Sequence, residues 1–351
     1  MENIAKKSFG QVADEHIRVG TVIYIEPVLA GFGVALDPLL VKAGLSREQM
    51  ADAENTVPLV ALGKLLAACA ETSGCPHFGL LLGDHPIGQS LGLVGDLLPH
   101  CADVETALTY LQDFFHLHDR GGFPAMSVAG DVALLSYNIL VSDLPGFRQV
   151  QDTAMAIALN MMRTLCGQDW KPGLLRLTLG KPIDLQPYRA LFGCKVELNA
   201  ESPEIVFPRR DLGRAIPGGN NLRFQFLKEE LDGLRSEADF DFVARVRRII
   251  LAFLVLQRCS LENVAKHFYL HRRTLNRRLA LEGVTYRALL NDARRMLAMR
   301  MLQHTDLSLG QIAAALDYAD HSAFTRACRK WTDRSPSAWR TEYDIFKISQ
   351  H

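Results

Sequence analysis

A segment near the carboxyl end of this 351-residue chain repeats itself, and the repeat restricts the fold more than any other feature. Ser260-Leu-Glu-Asn-Val-Ala265 has a counterpart in Ser308-Leu-Gly-Gln-Ile-Ala313, 48 residues later. Leu275-Asn-Arg277 has a counterpart in Phe324-Thr-Arg326, 49 residues later, so the second copy carries one extra residue in its turn. The repeat predicts two related helical substructures that follow one another in the chain.

Each copy has the layout of a helix-turn-helix. Ser260 and Ser308 can cap a short first helix, and Ser308 with Gln311 fits the Ser-x-x-Gln capping box. A small alanine in that helix allows close approach of a second helix after a short turn. The second helix carries a buried anchor, Leu275 or Phe324, beside polar and arginine positions. In DNA-binding helix-turn-helix proteins the second helix enters the major groove, so the pair predicts two DNA-reading helices.

One continuous helix is predicted between the two copies, from Thr285 to Gln303, with Leu289, Ala293 and Leu297 facing inward. At 1.5 Å per residue such a helix spans roughly 28 Å. Successive major grooves on one face of a duplex lie about 34 Å apart. A connecting helix of this length can hold two reading helices in adjacent grooves.

The net charge of zero hides opposite charges in the two parts of the chain. Residues 241–351 hold 19 Lys and Arg against 10 Asp and Glu, whereas residues 1–240 hold 20 against 29. This asymmetry favours a nucleic-acid-binding module joined to a different one, although a well-solvated basic surface is the alternative on charge alone. We place the boundary after residue 235. Residues 1–235 are predicted to be an α+β effector-binding domain, and residues 236–351 an all-α domain of two helix-turn-helix motifs joined by a long helix.

Composition and local patterns support a globular first part. Hydrophobic residues make up 48% and charged residues 22% of the chain, no apolar stretch is long enough to cross a membrane, and no signal peptide is expected. The seven cysteines form no CxxC pair, which favours free thiols and a cytoplasmic location. Apolar spacing predicts helices at 59–73 and 150–166, Asp103 can cap a third helix, and a hairpin is predicted at 125–139. Further strands are expected at 174–179, 195–198 and 204–207.

Residues 241–343 resemble the DNA-binding domain of AraC/XylS-type transcription regulators. The matching residues are Ile312-Ala313, Ala315-Leu316, Asp317-Tyr318, Ser322-Ala-Phe324, Arg326, Arg329-Lys330-Trp331, Ser335-Pro336 and Trp339-Arg340. The chain departs from the family where Asp317 and Asp333 replace the usual turn glycines, where Cys328 replaces an aromatic residue and where His271 replaces a better helix cap. Asp tolerates a left-handed backbone better than most residues, so we expect strain at these turns and no loss of the fold.

Most of residues 20–215 resemble the arabinose-binding-type N-terminal domain of one branch of that family. The matching segments are Phe78-Gly-Leu-Leu-Leu-Gly83, Leu91-Gly-Leu-Val-Gly95, Ala107-Leu108 and Tyr188-Arg-Ala-Leu-Phe192. Members of this branch respond to small metabolites, amino acids or fatty acids. The resemblance therefore implies a small-molecule effector and no other cofactor, without naming the effector or its contacts. It also implies double-stranded promoter DNA as a partner, with RNA polymerase and a second copy of the chain as further candidates.

The resemblance assigns exposed side chains on the two reading helices to DNA. Those expected to read bases are Arg273, Thr274, Asn276, Arg277, His321, Ser322, Thr325 and Arg326. Those expected to meet phosphates are Arg272, Arg278, Arg287, Arg329 and Lys330. Arginine can contact guanine, and asparagine adenine, through two hydrogen bonds. The alternative is that some of these arginines are only solvated, or paired with Glu282 or Asp320.

Sequence signals for catalysis or metal binding in residues 1–235 are weaker. Gly88-Gln-Ser-Leu-Gly92 matches the G-x-S-x-G pattern of serine hydrolases, which requires a preceding strand where this chain predicts a loop. His116 and His118 would point to different sides of a helix, so no metal site is expected. Several apolar side chains either line an effector cavity or form plain core: Phe114, Phe115, Phe123, Tyr137, Met155, Met161 and Met162.

We therefore expect a ligand-responsive transcription regulator that is not an enzyme. Two alternatives stay open from the sequence. One is a hydrolase that carries a DNA-binding tail, and the other is a constitutive DNA-binding protein whose N-terminal domain only dimerises.

Overall fold

The computed structural model describes residues 12–85, 90–141, 143–180, 184–238, 242–255 and 259–341. These residues form two compact units. The first unit comprises the described parts of Met1–Gly173, Gln186–Cys194 and Ile205–Phe240. The second comprises those of Leu174–Leu185, Lys195–Glu204 and Asp241–His351.

Helices and strands are interspersed in the first 220 residues, and the described residues after them form helices and no strand. The strands are β1 His16–Arg18, β2 Thr56–Pro58, β3 Gly122–Ala129, β4 Val132–Ile139, β5 Leu174–Arg176, β6 Lys195–Glu197 and β7 Glu204–Pro208. The helices are α1 Ile25–Ala30, α2 Asp37–Ala43, α3 Arg47–Met50, α4 Leu59–Ser73, α5 Phe78–Gly83, α6 Gly92–Leu97, α7 Val104–Phe114, α8 Phe147–Cys166, α9 Gln186–Phe192, α10 Asn221–Ala238, α11 Phe242–Val255, α12 Leu261–His267, α13 Arg272–Leu281, α14 Tyr286–His304, α15 Leu309–Ala315 and α16 His321–Thr332. None of the helices among the described residues has the length and apolar character that crossing a membrane requires.

The first unit is α+β, as expected. β3 and β4 form an antiparallel hairpin in which Ala129 faces Val132, and Gly130 between them has a φ of 61°. β1 and β2 form a separate antiparallel pair. The predicted helix at 59–73 is α4 and ends at Gly74 with a left-handed backbone. Asp103 caps α7, as predicted, by accepting a hydrogen bond from the Thr106 amide at 2.8 Å.

α8 is the central helix of this unit. It begins at Phe147, three residues before the sequence predicts, because Gly146 makes the preceding turn at a φ of 63°. A Cβ at Gly146 would lie 2.2 Å from the Gly63 carbonyl oxygen, so the turn depends on glycine. α5 lies equally close to α8, since a Cβ at Gly79 would lie 2.3 Å from the Gln149 carbonyl oxygen. These close approaches leave α8 buried along most of its length.

The second unit contains α11 to α16 together with a parallel pair formed by β5 and β6. The Gly180 amide, beyond β5, donates to the His304 carbonyl at the end of α14 at 2.9 Å. The Asp306 amide donates to Asn199 Oδ1, beyond β6, at 2.9 Å. Two segments of the first 235 residues thus pack with the later helices. A single domain boundary after residue 235 does not describe that arrangement. The assignment of separate functions to residues 1–235 and 236–351 stays a prediction.

Candidate nucleic-acid interface and ligand cavity

The first helix-turn-helix consists of α12 and α13. Ser260 Oγ accepts from the Asn263 amide at 3.1 Å, which satisfies one free donor at the start of α12. Histidine is a poor capping residue, but His271 does cap α13: its Nδ1 accepts a hydrogen bond from the Arg273 amide at 3.4 Å. Leu275 and Leu279 are fully buried on the inner face of α13. The helical period therefore turns the arginine-bearing face outward.

The second helix-turn-helix consists of α15 and α16. Ser308 and Gln311 form the predicted capping box at the start of α15. Asp320 caps α16 by accepting from the Ala323 amide at 2.7 Å, and this hydrogen bond keeps the pKa of Asp320 below its ordinary value. Phe324 and Cys328 are buried at the anchor positions. Cys328 therefore fills the aromatic position as a small core residue.

The structure places the predicted base-reading side chains on α13 and α16. Six of the eight are exposed, whereas Thr274 and Thr325 are half-buried, and Thr325 Oγ1 donates to the His321 carbonyl at 2.8 Å. Within the described parts of the chain, Arg273, Arg277 and Arg326 form no ion pair. These three arginines form no close ion pair with Glu282 or Asp320, although the charge of Arg326 helps to lower the pKa of Asp320. Their guanidinium groups face solvent with all donors available.

The predicted phosphate-binding side chains flank these positions. Arg272 and Arg278 lie on α13, Arg329 and Lys330 lie in the last turn of α16, and Arg287 lies in the first turn of α14. All five are exposed. Arg278 also lies 5.6 Å from the centre of the Phe242 ring, a cation–π contact that ties α13 to α11.

Arg294 on α14 contacts the turn between α15 and α16, and the sequence did not predict this contact. Asp317 and Asp333 have φ values of 58° and 57°, the left-handed conformation expected at these turns from the sequence. An Arg294 nitrogen donates to the Asp317 carbonyl at 3.0 Å and to its carboxylate at 3.2 Å. Arg294 also lies 4.9 Å above the centre of the Tyr318 ring. These contacts offset the strain of a non-glycine residue in this turn.

An apolar cavity of about 70 Å³ lies inside the first unit. Since about 10–15 Å³ of such space suffices for one water molecule, the cavity has room for a small organic ligand. Its wall comes from β1, α4, α7, β3, β4 and α8 and from the segments next to them. Phe115, Tyr137 and Met161 line it, so part of the predicted set is confirmed as cavity lining. Phe114, Phe123, Met155 and Met162 are buried core and are not part of the wall.

His118 is the unusual group in this wall. Its side chain is buried, and neither ring nitrogen has a hydrogen-bond partner. Burial, followed by the nearby charge of Arg18, lowers the pKa of His118 to about 3, so the ring is neutral at physiological pH. Sequence reasoning considered His118 only as a metal ligand. The buried position of His118 was hard to predict, because the 3-10 turn at Phe115–Leu117 directly follows α7 and no residue in the sequence marks the end of that helix. This turn directs His118 inward.

Two features of the sequence remain to be located in the structure: the serine of the G-x-S-x-G pattern and the cysteines. Ser90 is buried, with only 3% of its surface exposed, and Gly88 and Gln89 lie outside the described residues. None of the seven cysteines forms a disulfide within the described parts of the chain.

Two family models match this chain, and several transcription regulators are similar to it. Residues 33–216 match the family described as the arabinose-binding domain of AraC transcription regulators, and residues 264–342 match a helix-turn-helix domain. The transcriptional regulator VirS of Mycobacterium tuberculosis is 27% identical over 286 residues, which is 79% of this chain and 82% of VirS. The ornithine utilization regulator of Pseudomonas aeruginosa is 26% identical over 330 residues, 90% of this chain and 96% of that protein. The crystal structure of the regulator CdpR from P. aeruginosa covers 87% of this chain and 96% of its own, at 22% identity and a TM-score of 0.43.

The family match extends over more than half of the chain, and the helix-turn-helix match contains both α13 and α16. The chain belongs to the AraC family and is a ligand-responsive DNA-binding transcription regulator.

Proposed function

We propose that α13 and α16 read adjacent major grooves of one duplex. The observation that carries this proposal is the pair of capped helices with unpaired, outward arginines, joined by the 19-residue α14. Arg273, Asn276 and Arg277 on α13, and His321, Ser322 and Arg326 on α16, supply the donors and acceptors that base edges require. A cytoplasmic location goes with this role, and RNA polymerase and a second copy of the chain are the proposed protein partners.

The cavity of the first unit is the proposed effector site. An apolar lining with a few polar groups is typical of small-molecule sites. Effector binding can change DNA binding only if the effector has different affinities for the DNA-competent state and its alternative. The cavity favours this role over an N-terminal domain that only dimerises. Burial of Ser90 is unfavourable for a serine nucleophile, and this supports the proposal that the protein acts by binding.

Arginine substitutions separate base reading from phosphate contact. On a site selected from random DNA, Arg277→Ala and Arg326→Ala should each cost about 1–3 kcal/mol, because a guanine edge is left unread. Binding to unselected DNA should fall much less. Arg287→Ala is the matched control: it should weaken both DNAs alike and lower the salt slope by about one. Equal losses on selected and unselected DNA for Arg277→Ala and Arg326→Ala would show that these two arginines do not read bases.

A further inference from the structure

The phenol and the carboxylate in the wall of the apolar cavity are hydrogen-bonded within the protein. Tyr137 Oη donates to Asp119 Oδ2 at 2.5 Å. Asp119 Oδ1 accepts from the Gly121 amide at 2.7 Å and from the Gly122 amide at 3.1 Å. Both carboxylate oxygens of Asp119 are therefore engaged, and a ligand would have to displace existing hydrogen bonds to reach them.

Three aliphatic hydroxyl groups of the wall are engaged in the same way. Thr21, Ser136 and Thr153 each donate to a backbone carbonyl oxygen, at 3.2, 3.3 and 2.8 Å. Ser136 Oγ also accepts from Asn138 Nδ2 at 3.0 Å. None of these three hydroxyl groups has a proton left to donate to a molecule in the cavity.

The ring nitrogens of His118 lie behind the surface of the wall. Neither nitrogen has a hydrogen-bond partner, and each is almost completely inaccessible, so a molecule in the cavity does not reach them. Almost all of the surface that the wall presents to the cavity is apolar. It comes from aliphatic and aromatic side chains, among them Leu62, Leu66, Leu135 and Ile157.

This wall disfavours every polar ligand group. A hydroxyl, carboxylate or ammonium group that enters the cavity gives up its hydrogen bonds to water and finds no replacement, which costs free energy. No lysine or arginine is among the described residues that line the cavity, so an anion also lacks a counter-charge. Apolar cavities of this kind stay dry and take up small hydrocarbons.

The size of the cavity limits the ligand further. An apolar protein cavity of roughly 150 Å³ holds benzene. The present cavity, at about 70 Å³, therefore suits a molecule of about three or four carbon atoms.

We propose that the cavity binds a compact hydrocarbon of this size, which places no hydrogen-bonding group inside the wall. This inference rests on the proposed role of the cavity as the effector site, and it adds the chemical class of the effector. It excludes amino acids, carboxylic acids and alcohols as occupants of the cavity.

Four probes with the same number of non-hydrogen atoms test the class on the full-length protein: butane, 1-propanol, propylammonium and acetate. Binding is measured by NMR titration of the methyl signals of Leu62, Leu66 and Leu135. We expect butane to bind at least about tenfold more tightly than each polar probe, because it leaves no polar group unpaired. A smaller preference for butane, or methyl signals that butane does not shift, would overturn the proposal.

A substitution that fills the cavity tests where butane binds. Ala158 on α8 lines the cavity and is half-buried, so the larger side chain of Ala158→Leu should occupy the space and abolish butane binding. Ala30→Leu is the matched control, because Ala30 is exposed on α1 and lies outside the cavity wall. Butane binding that persists in a folded Ala158→Leu protein would contradict the assigned site.

If Ala158→Leu does not fold, the unmodified protein still locates the ligand. Nuclear Overhauser contacts between butane and the methyl groups of Leu62 and Ile157 are then expected. Contacts with methyl groups outside the wall and none with these two residues would overturn the assignment.

DNA affinity is measured separately, so that the two proposals fail separately. Saturation with butane that leaves DNA affinity unchanged would contradict the effector role of the cavity but not the ligand class. A polar molecule that binds in the cavity and changes DNA affinity would contradict the class but not the role.

Discussion

Asp152 is a carboxyl group that the fold buries completely within α8. Tyr188 Oη donates to its Oδ2 at 2.7 Å, and Arg148 lies 3.7 Å from the same oxygen. Burial raises the pKa of Asp152 from the ordinary 3.8 to about 7, although the charge of Arg148 and the Tyr188 hydrogen bond act in the opposite direction. Asp152 is therefore partly protonated near neutral pH.

The raised pKa of Asp152 sets the sign of a pH effect. Between the two pKa values the folded protein holds a proton that the unfolded chain has released, so the free energy of unfolding falls as pH rises. Burial of neutral His118 contributes the opposite slope below about pH 6.5, and it does so equally in both proteins. We therefore expect the free energy of unfolding of the unmodified protein, measured by urea denaturation relative to that of Asp152→Asn, to fall between about pH 5 and pH 7. Asp152→Asn, which still accepts from Tyr188, should be the more stable protein near pH 7. Parallel pH profiles for the two proteins would contradict the raised pKa.

At the scale of elements, the start of α15 is held by the loop after β6. Asn199 accepts from the Asp306 amide and donates from Nδ2 to the Asp306 carboxylate at 3.5 Å, two residues before the Ser308 cap. Asn199 has a φ of 60°, where asparagine is one of the few tolerated side chains. The contact therefore depends on a backbone conformation as well as on the amide group.

Asn199→Gly removes this contact without straining the loop. We expect it to lower the free energy of unfolding by about 1 kcal/mol, the usual net value of such hydrogen bonds. Hydrogen exchange at the Asp306 amide should accelerate, while exchange within α12, which Asn199 does not contact, should not. Unchanged exchange at Asp306 would show that the loop after β6 does not hold the start of α15.

The elements that the sequence predicted well are those whose formation depends on residues close together in the chain. α4, α7 and the β3–β4 hairpin follow from apolar spacing, the Asp103 cap and a turn glycine. The early start of α8 did not follow, because it depends on the approach of Gly146 to Gly63, more than 80 residues away in the sequence. β5 is also shorter than predicted, and it pairs with β6 in parallel. The spacing of apolar residues within one segment does not determine which distant strand that segment pairs with.

At the scale of the whole molecule, the helical length of α14 sets the spacing of the DNA site. We expect two half-sites about 10 base pairs apart on one face of the duplex. Inserting about five base pairs between them should rotate one half-site to the opposite face and reduce affinity to that of a single half-site. Footprinting on the original and lengthened sites measures this. Full affinity on the lengthened site would show that only one helix pair binds DNA.

The sequence by itself determined the two helix-turn-helix motifs, the serine caps of their first helices, the buried anchors and the outward arginines. These depend on the period of one helix and on residues within a few positions of each other. The tertiary structure alone decided three other features: the cavity, the orphaned ring of His118 in its wall, and the packing of the segments after β5 and β6 with the end of α14. Each of these is made by residues far apart in the chain, and only the folded backbone brings them within contact distance.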